Sequence, residues 1–338
     1  MGVIGIVANP ASGKDVRRLV ARASVFDNQE KQAIVSRALV GAHAAGARKV
    51  AWLDDAHGIV AGAVKDHDDL ECTALDATRT ATPLDTITAA RALKDIDCAV
   101  VITLGGDGTN RAFAIGWHDA PLIALSTGTN NVFPCLLEGT VAGAAAGLIA
   151  AGRIRLDEVA RQQKLIRVEV EGERGDLALI DAVLSRERFI GARALLAPEL
   201  LDSALLTCAD PAAVGVTSIG GLLHSVSRDD DCGLRLVFGP GGHTVQAPIA
   251  PGLYRQVAVS DHGTVPFGER VEIAGQGVLA FDGERDRTLK AGQKARMFVE
   301  CSGPHVVDVW KTLELAAERG LFSMARESQT AEAPHDAG

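Results

Sequence analysis

The sequence is poor in aromatic residues, which make up 4% of its 338 residues and include a single tyrosine. Its six cysteines form no C-x-x-C pair, which excludes the common zinc and disulfide frameworks and is typical of small buried residues in a reducing compartment. Positive charge is also in short supply. The formal net charge of −9 counts against a protein that binds nucleic acid through its phosphates. Because aromatic residues are so few, the core must be built mainly from alanine, valine, leucine and isoleucine.

Long hydrophobic runs are missing as well. The longest apolar stretch, residues 141–152, is shorter than the roughly 18–20 residues that span a bilayer. The amino terminus has no basic region before its first apolar run, and this excludes a signal peptide. These features predict a cytoplasmic protein with neither a membrane nor a nucleic acid as its partner.

The pattern of elements changes along the chain. Residues 1–138 alternate short apolar strands with helical patterns, which predicts a doubly wound parallel sheet of the α/β class. Short alternating strands, separated by Gly, Pro and Asp clusters, dominate residues 155–303 and predict a β-rich second domain. The polar tail at 326–338 is predicted to be disordered. An amphipathic helix precedes this tail and is predicted from the spacing of Trp310, Leu313, Ala317 and Leu321.

A turn with three glycines around one carboxylate follows the apolar strand predicted at 98–104. Glycines let the backbone approach a phosphate closely, and the N–H groups at the start of the next helix favour anions. Asp107 is then placed to bind Mg²⁺ or to accept a proton from an attacking hydroxyl. Taken alone, a tight turn with an exposed aspartate explains the motif equally well. The residues of this motif are Gly105, Gly106, Asp107, Gly108, Thr109 and Asn110.

A second turn of small residues begins at Ser126, directly after the next predicted strand. Ligands bind at the carboxyl ends of the strands in an open α/β sheet, so the two turns are expected to face one crevice. Amide side chains there can hold ribose hydroxyls or an adenine edge. A helix N-cap cluster is the alternative interpretation. The residues predicted to contact a nucleotide are Thr127, Gly128, Thr129, Asn130 and Asn131.

Two further turns complete the candidate site. The turn after the first strand is not a Walker A loop, because residue 8 is alanine and Lys14 is followed by aspartate. It is interpreted either as a βα-turn near a nucleotide or as an ordinary Asn-Pro turn. In the β-rich half, an Asp-Gly pair predicts a hairpin turn, and a carboxylate there could also face the crevice. The residues concerned are Asn9, Ser12, Gly13, Asp282, Gly283 and Glu284.

The four motifs together resemble those of the superfamily of NAD kinases, diacylglycerol kinases and sphingosine kinases. They are Asn-Pro-x-Ser-Gly, Gly-Gly-Asp-Gly-Thr, Gly-Thr-Asn-Asn and Asp-Gly-Glu, in this order and spacing. Within the superfamily the chain is most similar to the acetoin-catabolism protein X group, and the resemblance covers nearly the whole chain. It implies a doubly wound amino-terminal domain, a β-sandwich-like second domain with the active site between them, and a last helix, 308–323, that packs back on the first domain.

The resemblance also implies the chemistry of the site. It makes Asp107 the catalytic base or the carboxylate that organises a metal, with ATP and Mg²⁺ as cofactors and a homodimer as the assembly. Where NAD kinases carry an Asn-Glu pair for the nucleotide substrate, this chain has Ile180 and Asp181. The acceptor hydroxyl therefore stays open between NAD and a small hydroxylated metabolite. A nucleotide-binding regulator or sensor is the alternative, whereas a Rossmann dehydrogenase is disfavoured because no G-x-G-x-x-G follows the first strand.

Overall fold

The computed structural model describes residues 1–13, 27–128, 131–186 and 197–323. A largely parallel sheet with helices on both faces is followed by a β-rich part, which confirms the predicted α/β fold class. The tail predicted at 326–338 lies outside the described residues.

The first sheet has seven strands in the order β3-β2-β1-β4-β5-β17-β6, and β6 at its edge is the antiparallel member. Strands β1, β4 and β5 are neighbours in this order, and the turns predicted to form the site follow their carboxyl ends. Strand β4 is buried along its whole length, as expected of an apolar strand covered on both faces. The strands are β1 (Val3–Ala8), β2 (Lys49–Leu53), β3 (Glu71–Leu75), β4 (Val100–Gly105), β5 (Pro121–Ser126), β6 (Ala160–Gln162) and β17 (His305–Val307).

Helices cover both faces of this sheet because its strands alternate the direction of their apolar side chains. Ile4 and Ile6 pack into a core on one face with helices α1, α2, α5 and α8, whereas Val7 packs on the other face with α3 and α4. The short helix α6 leads into β6. The helices are α1 (Asn28–Ala44), α2 (Ile59–Ala63), α3 (Pro83–Asp95), α4 (Asp107–Gly116), α5 (Gly139–Ala150), α6 (Leu156–Val159) and α8 (Val309–Glu318).

Small residues let α1 and α5 pack with their backbones in near contact. A Cβ atom added to Gly143 would lie 1.9 Å from the carbonyl oxygen of Ala38, and one added to Gly41 would lie 2.0 Å from that of Thr140. The glycine-rich apolar stretch noted in the sequence is thus a surface for packing one helix on another. Across the described ranges, none of the helices combines the length and hydropathy needed to cross a membrane.

The described residues of the second part of the chain contain two antiparallel sheets and the α-helix α7. Six strands form the order β12-β11-β10-β9-β14-β15, and four form β13-β16-β7-β8. Side chains such as Val168, Leu184, Phe281 and Met297 fill the core between the two sheets, which makes a sandwich, and α7 (Val216–Leu223) covers the outer face of the larger sheet. The strands are β7 (Leu165–Val170), β8 (Asp176–Ala178), β9 (Asp181–Ser185), β10 (Leu201–Leu206), β11 (Cys232–Ala250), β12 (Leu253–Pro266), β13 (Val271–Ala274), β14 (Gly277–Phe281), β15 (Glu284–Leu289) and β16 (Lys294–Glu300).

Helix α8 packs into the core of the first sheet, but with a different face from the one predicted. Val309, Thr312 and Ala316 are buried, whereas Trp310 is 80% exposed. The prediction that Trp310 belongs to the apolar face of this helix is therefore wrong. The spacing from Val309 fits the helical repeat as well as the spacing from Trp310, and only the neighbouring core decides between them.

The chain passes from the first sheet to the sandwich and back at adjacent places. Strands β6 and β17 pair with each other, and beyond them the N–H of Gln163 donates to Pro304 O and the N–H of Gly303 to Gln163 O, each over 2.9 Å. The two crossings therefore lie side by side. The domain limits given above, 1–138 and 155–303, stay predictions.

Candidate active site

Three turns meet at the carboxyl edge of the first sheet, after the neighbouring strands β1, β4 and β5. The amide of Asn9 donates to Thr109 Oγ1 over 2.8 Å, and the hydroxyls of Ser12 and Thr127 lie 2.9 Å apart. The N–H of Thr127 donates to the carbonyl oxygen of Gly105. The structure thus brings together the turns that were expected to face one crevice.

Asn131 packs against the glycines of two of these turns. A Cβ atom on Gly106 would lie 2.8 Å from Asn131 Oδ1, and one on Gly128 would lie 2.9 Å from Asn131 Nδ2. The same amide donates to Ser126 Oγ over 2.7 Å. The two glycines are therefore needed to admit Asn131. Thr129 and Asn130, which were also predicted to contact a nucleotide, lie outside the described residues.

The turn after β1 is anchored by Lys31, which the sequence interpretation missed. This side chain of α1 is fully buried, and its ammonium group donates to the carbonyl oxygens of Asn9 over 2.9 Å and Ser12 over 2.7 Å. A buried ammonium must have its donors satisfied, so the turn keeps its carbonyls directed inward. Gly13 ends the turn with a left-handed φ of 71°. A lysine on the buried face of a helix, one turn before Ile34, was the available signal.

Asp107 is the first residue of α4 and is half-buried. Its carboxylate accepts the N–H of Phe133 over 2.8 Å and the N–H of Val132 over 3.0 Å. Gly106 has no side chain with which to cap the helix, and the positive end of the helix dipole favours an anion at this place. A carboxylate fixed in this way can accept a proton or bind a cation.

Asn110 has a supporting position in the structure. It is fully buried, accepts the hydroxyl of Thr103 over 2.7 Å and donates to the carbonyl oxygen of Gly106 over 2.9 Å. Both ends of its amide are thus used to join β4 to the start of α4. A direct contact between Asn110 and a nucleotide stays a prediction, since the side chain holds the turn from behind.

Asp282 organises the backbone of the second part of the chain. It has a left-handed φ of 50°, and with Gly283 at 76° it forms the predicted hairpin turn between β14 and β15. Its carboxyl accepts N–H groups from Leu179, Ile180 and Asp181. Burial raises its pKa to about 8, and repulsion from Asp181 acts in the same direction, against the N–H donors and Arg111, which favour the ionised form.

Glu284 is a carboxylate of the second part that reaches the start of α4 in the first. A Cβ atom on Gly108 would lie 2.2 Å from Glu284 Oε1, so the glutamate rests directly on the first turn of α4. The side chain is exposed, in contrast to Asp282, which is 6% exposed. Of the residues predicted in this hairpin, Glu284 therefore lies against Gly108, the residue after Asp107, and Asp282 supports the turn.

Arg111, which was also missed, ties α4 to the sandwich. It is 4% exposed, and its guanidinium donates to Leu177 O over 2.7 Å, pairs with Asp176 over 2.9 Å and lies 4.9 Å from the ring centre of Phe281. These contacts hold the helix that begins at Asp107 against the second part of the chain. An arginine within a largely apolar helix was the only signal in the sequence.

The arrangement fits a phosphate ligand and Mg²⁺. Among the described residues, no three histidine, cysteine, aspartate or glutamate side chains are grouped so as to hold a metal by themselves. Asp107 and Glu284 nevertheless bring a carboxylate from each part to the start of α4. Mg²⁺ is commonly held by one or two carboxylates together with substrate phosphates and water, and this donor set matches that pattern.

Comparison with known proteins defines the class first. Residues 4–154 match the family model described as the ATP-NAD kinase N-terminal domain. A yeast NADH kinase, solved as a complex with NADH, shares the fold with a TM-score of 0.53 at 14% identity, covering 97% of this chain and 90% of that one. A diacylglycerol kinase from Bacillus anthracis strain Sterne gives a TM-score of 0.49 at 13% identity, over 90% of this chain and 96% of that one. The family model and the yeast structure give the chain the fold of the NAD kinase superfamily, and the resemblance found in its motifs is confirmed.

The narrower family follows from sequence. Residues 164–302 match the model described as the acetoin catabolism protein X C-terminal domain. Acetoin catabolism protein X of Cupriavidus necator is 38% identical over 300 residues, which are 84% of this chain and 84% of that protein. This chain belongs to the acetoin catabolism protein X family.

Proposed function

We propose that the protein is an ATP-dependent kinase that transfers a phosphoryl group from Mg-ATP to a hydroxyl of NAD or of a small hydroxylated metabolite linked to acetoin catabolism. The observation that carries this proposal is the position of Asp107 at the start of α4. Two backbone N–H groups hold its carboxylate, and Glu284 of the second part lies on the neighbouring Gly108.

Residues of the chain take separate roles in the phosphoryl transfer. The acceptor oxygen bonds to the γ-phosphorus, the bond from that phosphorus to the ADP oxygen breaks, and Asp107 takes the proton of the hydroxyl. Glu284 would help to hold Mg²⁺, and the bound ion would neutralise charge on the phosphates. The nucleotide is bound by the turns that contain Asn9, Ser12, Gly13, Gly105, Gly106, Gly108, Thr109, Thr127, Gly128, Thr129, Asn130 and Asn131.

The acceptor lies on the side of Asp181 and the hairpin at Gly283. Ile180, at the place of the polar pair of NAD kinases, is 3% exposed and gives its N–H to Asp282. It offers no side-chain hydrogen bond to a nucleotide substrate, and this supports the small metabolite over NAD. The same observation supports the second candidate function, a regulator or sensor that binds a nucleotide and transfers little or nothing.

An ADP-formation assay distinguishes the two functions. The protein is incubated with Mg-ATP and a panel of NAD, NADH, acetoin and polyols, and ADP is followed for the wild type, Asp107→Ala and Asp107→Asn. We expect turnover to fall by about 10²–10⁴-fold in both variants, since general-base catalysis contributes on that order. ATP affinity, measured by calorimetry, should change only a few-fold.

Asp68→Ala is the matched control, because it removes one carboxylate from an exposed position of the first part. It should retain full turnover. Nucleotide binding without turnover on any acceptor would reject the kinase in favour of the sensor.

The proposal includes a cytoplasmic location and a homodimer. Light scattering of the purified protein across a concentration series measures the second, and a monomer at all concentrations would reject it.

A further inference from the structure

The backbone of two residues after β5 lies between Asp107 and a distant arginine. Val132 and Phe133 give their N–H groups to the Asp107 carboxylate. Their carbonyl oxygens accept hydrogen bonds from the guanidinium of Arg228, at 3.4 Å for Phe133 and at shorter range for Val132. All four backbone polar groups of these residues thus lie between one carboxylate of the first part and one cation of the second.

The segment that carries Arg228 is itself held by a buried lysine. Lys164 is 4% exposed, and its ammonium group donates to the carbonyl oxygens of Ser227, Asp230 and Cys232 over 2.7, 2.9 and 2.8 Å. An ammonium has three donors, so each of them is used. Because an unsatisfied buried cation is costly, the segment between 227 and 232 is kept in the conformation that satisfies Lys164.

Packing does not replace the arginine contact. A small pocket lies between Phe133, Lys164, Thr207, Cys208 and Arg228. The side chains on this side of Phe133 therefore do not close completely around it, and loss of the guanidinium leaves the two carbonyls without an alternative support from packed side chains.

We propose that Arg228, held in place by Lys164, is a positioning residue that fixes the Asp107 carboxylate through the backbone of Val132 and Phe133. The inference rests on the proposed function, in which Asp107 takes the acceptor proton. The carbonyl of Val132 and the N–H of Phe133 belong to the same peptide unit, so the guanidinium on this carbonyl also polarises that peptide and strengthens the Phe133 N–H as a donor to Asp107. The alignment of Asp107 thereby depends on the sandwich being seated against the first sheet.

The expected signature separates positioning from binding. Without the guanidinium the backbone of Val132 and Phe133 can rotate, and their N–H groups leave the Asp107 carboxylate. The hydroxyl group of the acceptor substrate is then no longer aligned with this carboxylate. Misplacement of a reacting group by about 1 Å lowers rates by up to about 10²-fold. We therefore expect kcat to fall about 10–100-fold in Arg228→Ala, whereas the Kd of Mg-ATP stays within about twofold, because the arginine contacts the two residues that follow the nucleotide turn and not the turn itself.

Amide hydrogen exchange tests the contact without any turnover. In Arg228→Ala and Lys164→Met, peptides spanning residues 131–136 should exchange at least several-fold faster than in the wild type. The matched control is Arg161→Ala, which removes the exposed ion pair between Arg161 and Asp229 on the same segment. It should change neither the exchange nor kcat.

Arg228→Lys keeps the charge but cannot reach both carbonyls with a planar fork, so it should restore kcat only in part. This variant also allows the proposal to be tested if Lys164→Met does not fold. Unchanged exchange of the 131–136 peptides in Arg228→Ala would overturn the proposal, and so would an equal loss of kcat in Arg161→Ala. A wild type without turnover on any acceptor, but with the expected exchange pattern, would reject the kinase while leaving the role of Arg228 in holding Asp107 supported.

Discussion

At the scale of single residues, the site depends on the space left by Gly108. Its missing Cβ is what admits Glu284, whose carboxylate otherwise has no room on the first turn of α4. The contact is with the carboxylate end of an exposed side chain and not with backbone, so an added methyl group displaces the glutamate instead of straining the helix.

Gly108→Ala should therefore separate activity from stability. Alanine is the better helix residue by about 1 kcal/mol, so the free energy of unfolding should stay the same or rise slightly. ADP formation should fall, because Glu284 is pushed away from Asp107. In a Glu284→Ala background the same substitution should cause no further fall in activity. Denaturant unfolding measures the free energy of unfolding, and the ADP assay measures the activity.

Gly175→Ala is the control for this cycle, since its added Cβ would make only an ordinary contact, 3.5 Å from Val168 O. If Gly108→Ala lowers activity equally with and without Glu284, the glycine serves the approach of the nucleotide and not the placement of the glutamate.

The sequence identifies some of these residues and not others for a physical reason. Asp107 and its glycines follow a buried strand directly, so local pattern and sheet topology suffice to place them at one edge. Arg228 contacts Val132 across 96 residues of sequence, and Arg111 contacts Asp176 across 65. No periodicity reports such pairs, because each is created only when the sandwich meets the first sheet.

At the scale of elements, the packing of α1 on α5 sets the shape of one face of the sheet. The closest approach is at Gly143, whose hydrogen faces the backbone of Ala38 across a distance that excludes any larger group. Backbone atoms in a packed helix cannot move aside as a surface side chain can.

Gly143→Ala should for this reason destabilise the fold. We expect a loss of roughly 1–3 kcal/mol in the free energy of unfolding, the usual range for overpacking, despite the better helix propensity of alanine. Urea denaturation measures it. Val141→Ala is the control on the same helix, because Val141 is 40% exposed. Its free energy of unfolding should stay within about 0.5 kcal/mol of the wild-type value. A loss at Gly143 no larger than at Val141 would mean that the helices can separate at little cost.

Elements were predictable where their own residues decide them. Helices α1 (Asn28–Ala44) and α3 (Pro83–Asp95) are of this kind, because caps and apolar spacing in the sequence mark their ends. The buried face of α8 was not predictable in the same way. Its apolar residues lie on more than one side, and the side that is buried is chosen by α5 and the sheet, which leaves Trp310 in solvent.

At the scale of the whole molecule, one carboxyl links stability to pH. Asp282 has a reference pKa of 3.8 and a folded pKa of about 8, raised first by burial and then by Asp181. Between these values the folded protein binds more protons than the unfolded chain. The contribution of this carboxyl to stability is therefore greatest below the lower value and decreases as pH rises through the window, levelling above the upper one.

Asp282→Asn should flatten this dependence. For one proton the slope is at most about 1.4 kcal/mol per pH unit, and denaturant unfolding from pH 5 to pH 8.5 measures it. Asp69→Asn, at an exposed position, should retain the wild-type slope. Equal slopes for wild type and Asp282→Asn would show that the three N–H donors keep this carboxyl ionised throughout.

The pairing of β6 with β17 has a consequence for the ancestry of the chain. Because the sandwich leaves and rejoins the first sheet at neighbouring residues, joined across Gln163, Gly303 and Pro304, everything between those points is a cassette with its two ends together. Such a cassette can be exchanged for another in one genetic event without changing the order of the parallel strands in the first sheet. A chain can in this way keep the amino-terminal half of one lineage of kinases and carry a carboxyl-terminal half with a separate history, and the two family matches, which meet between residues 154 and 164, divide at that joint.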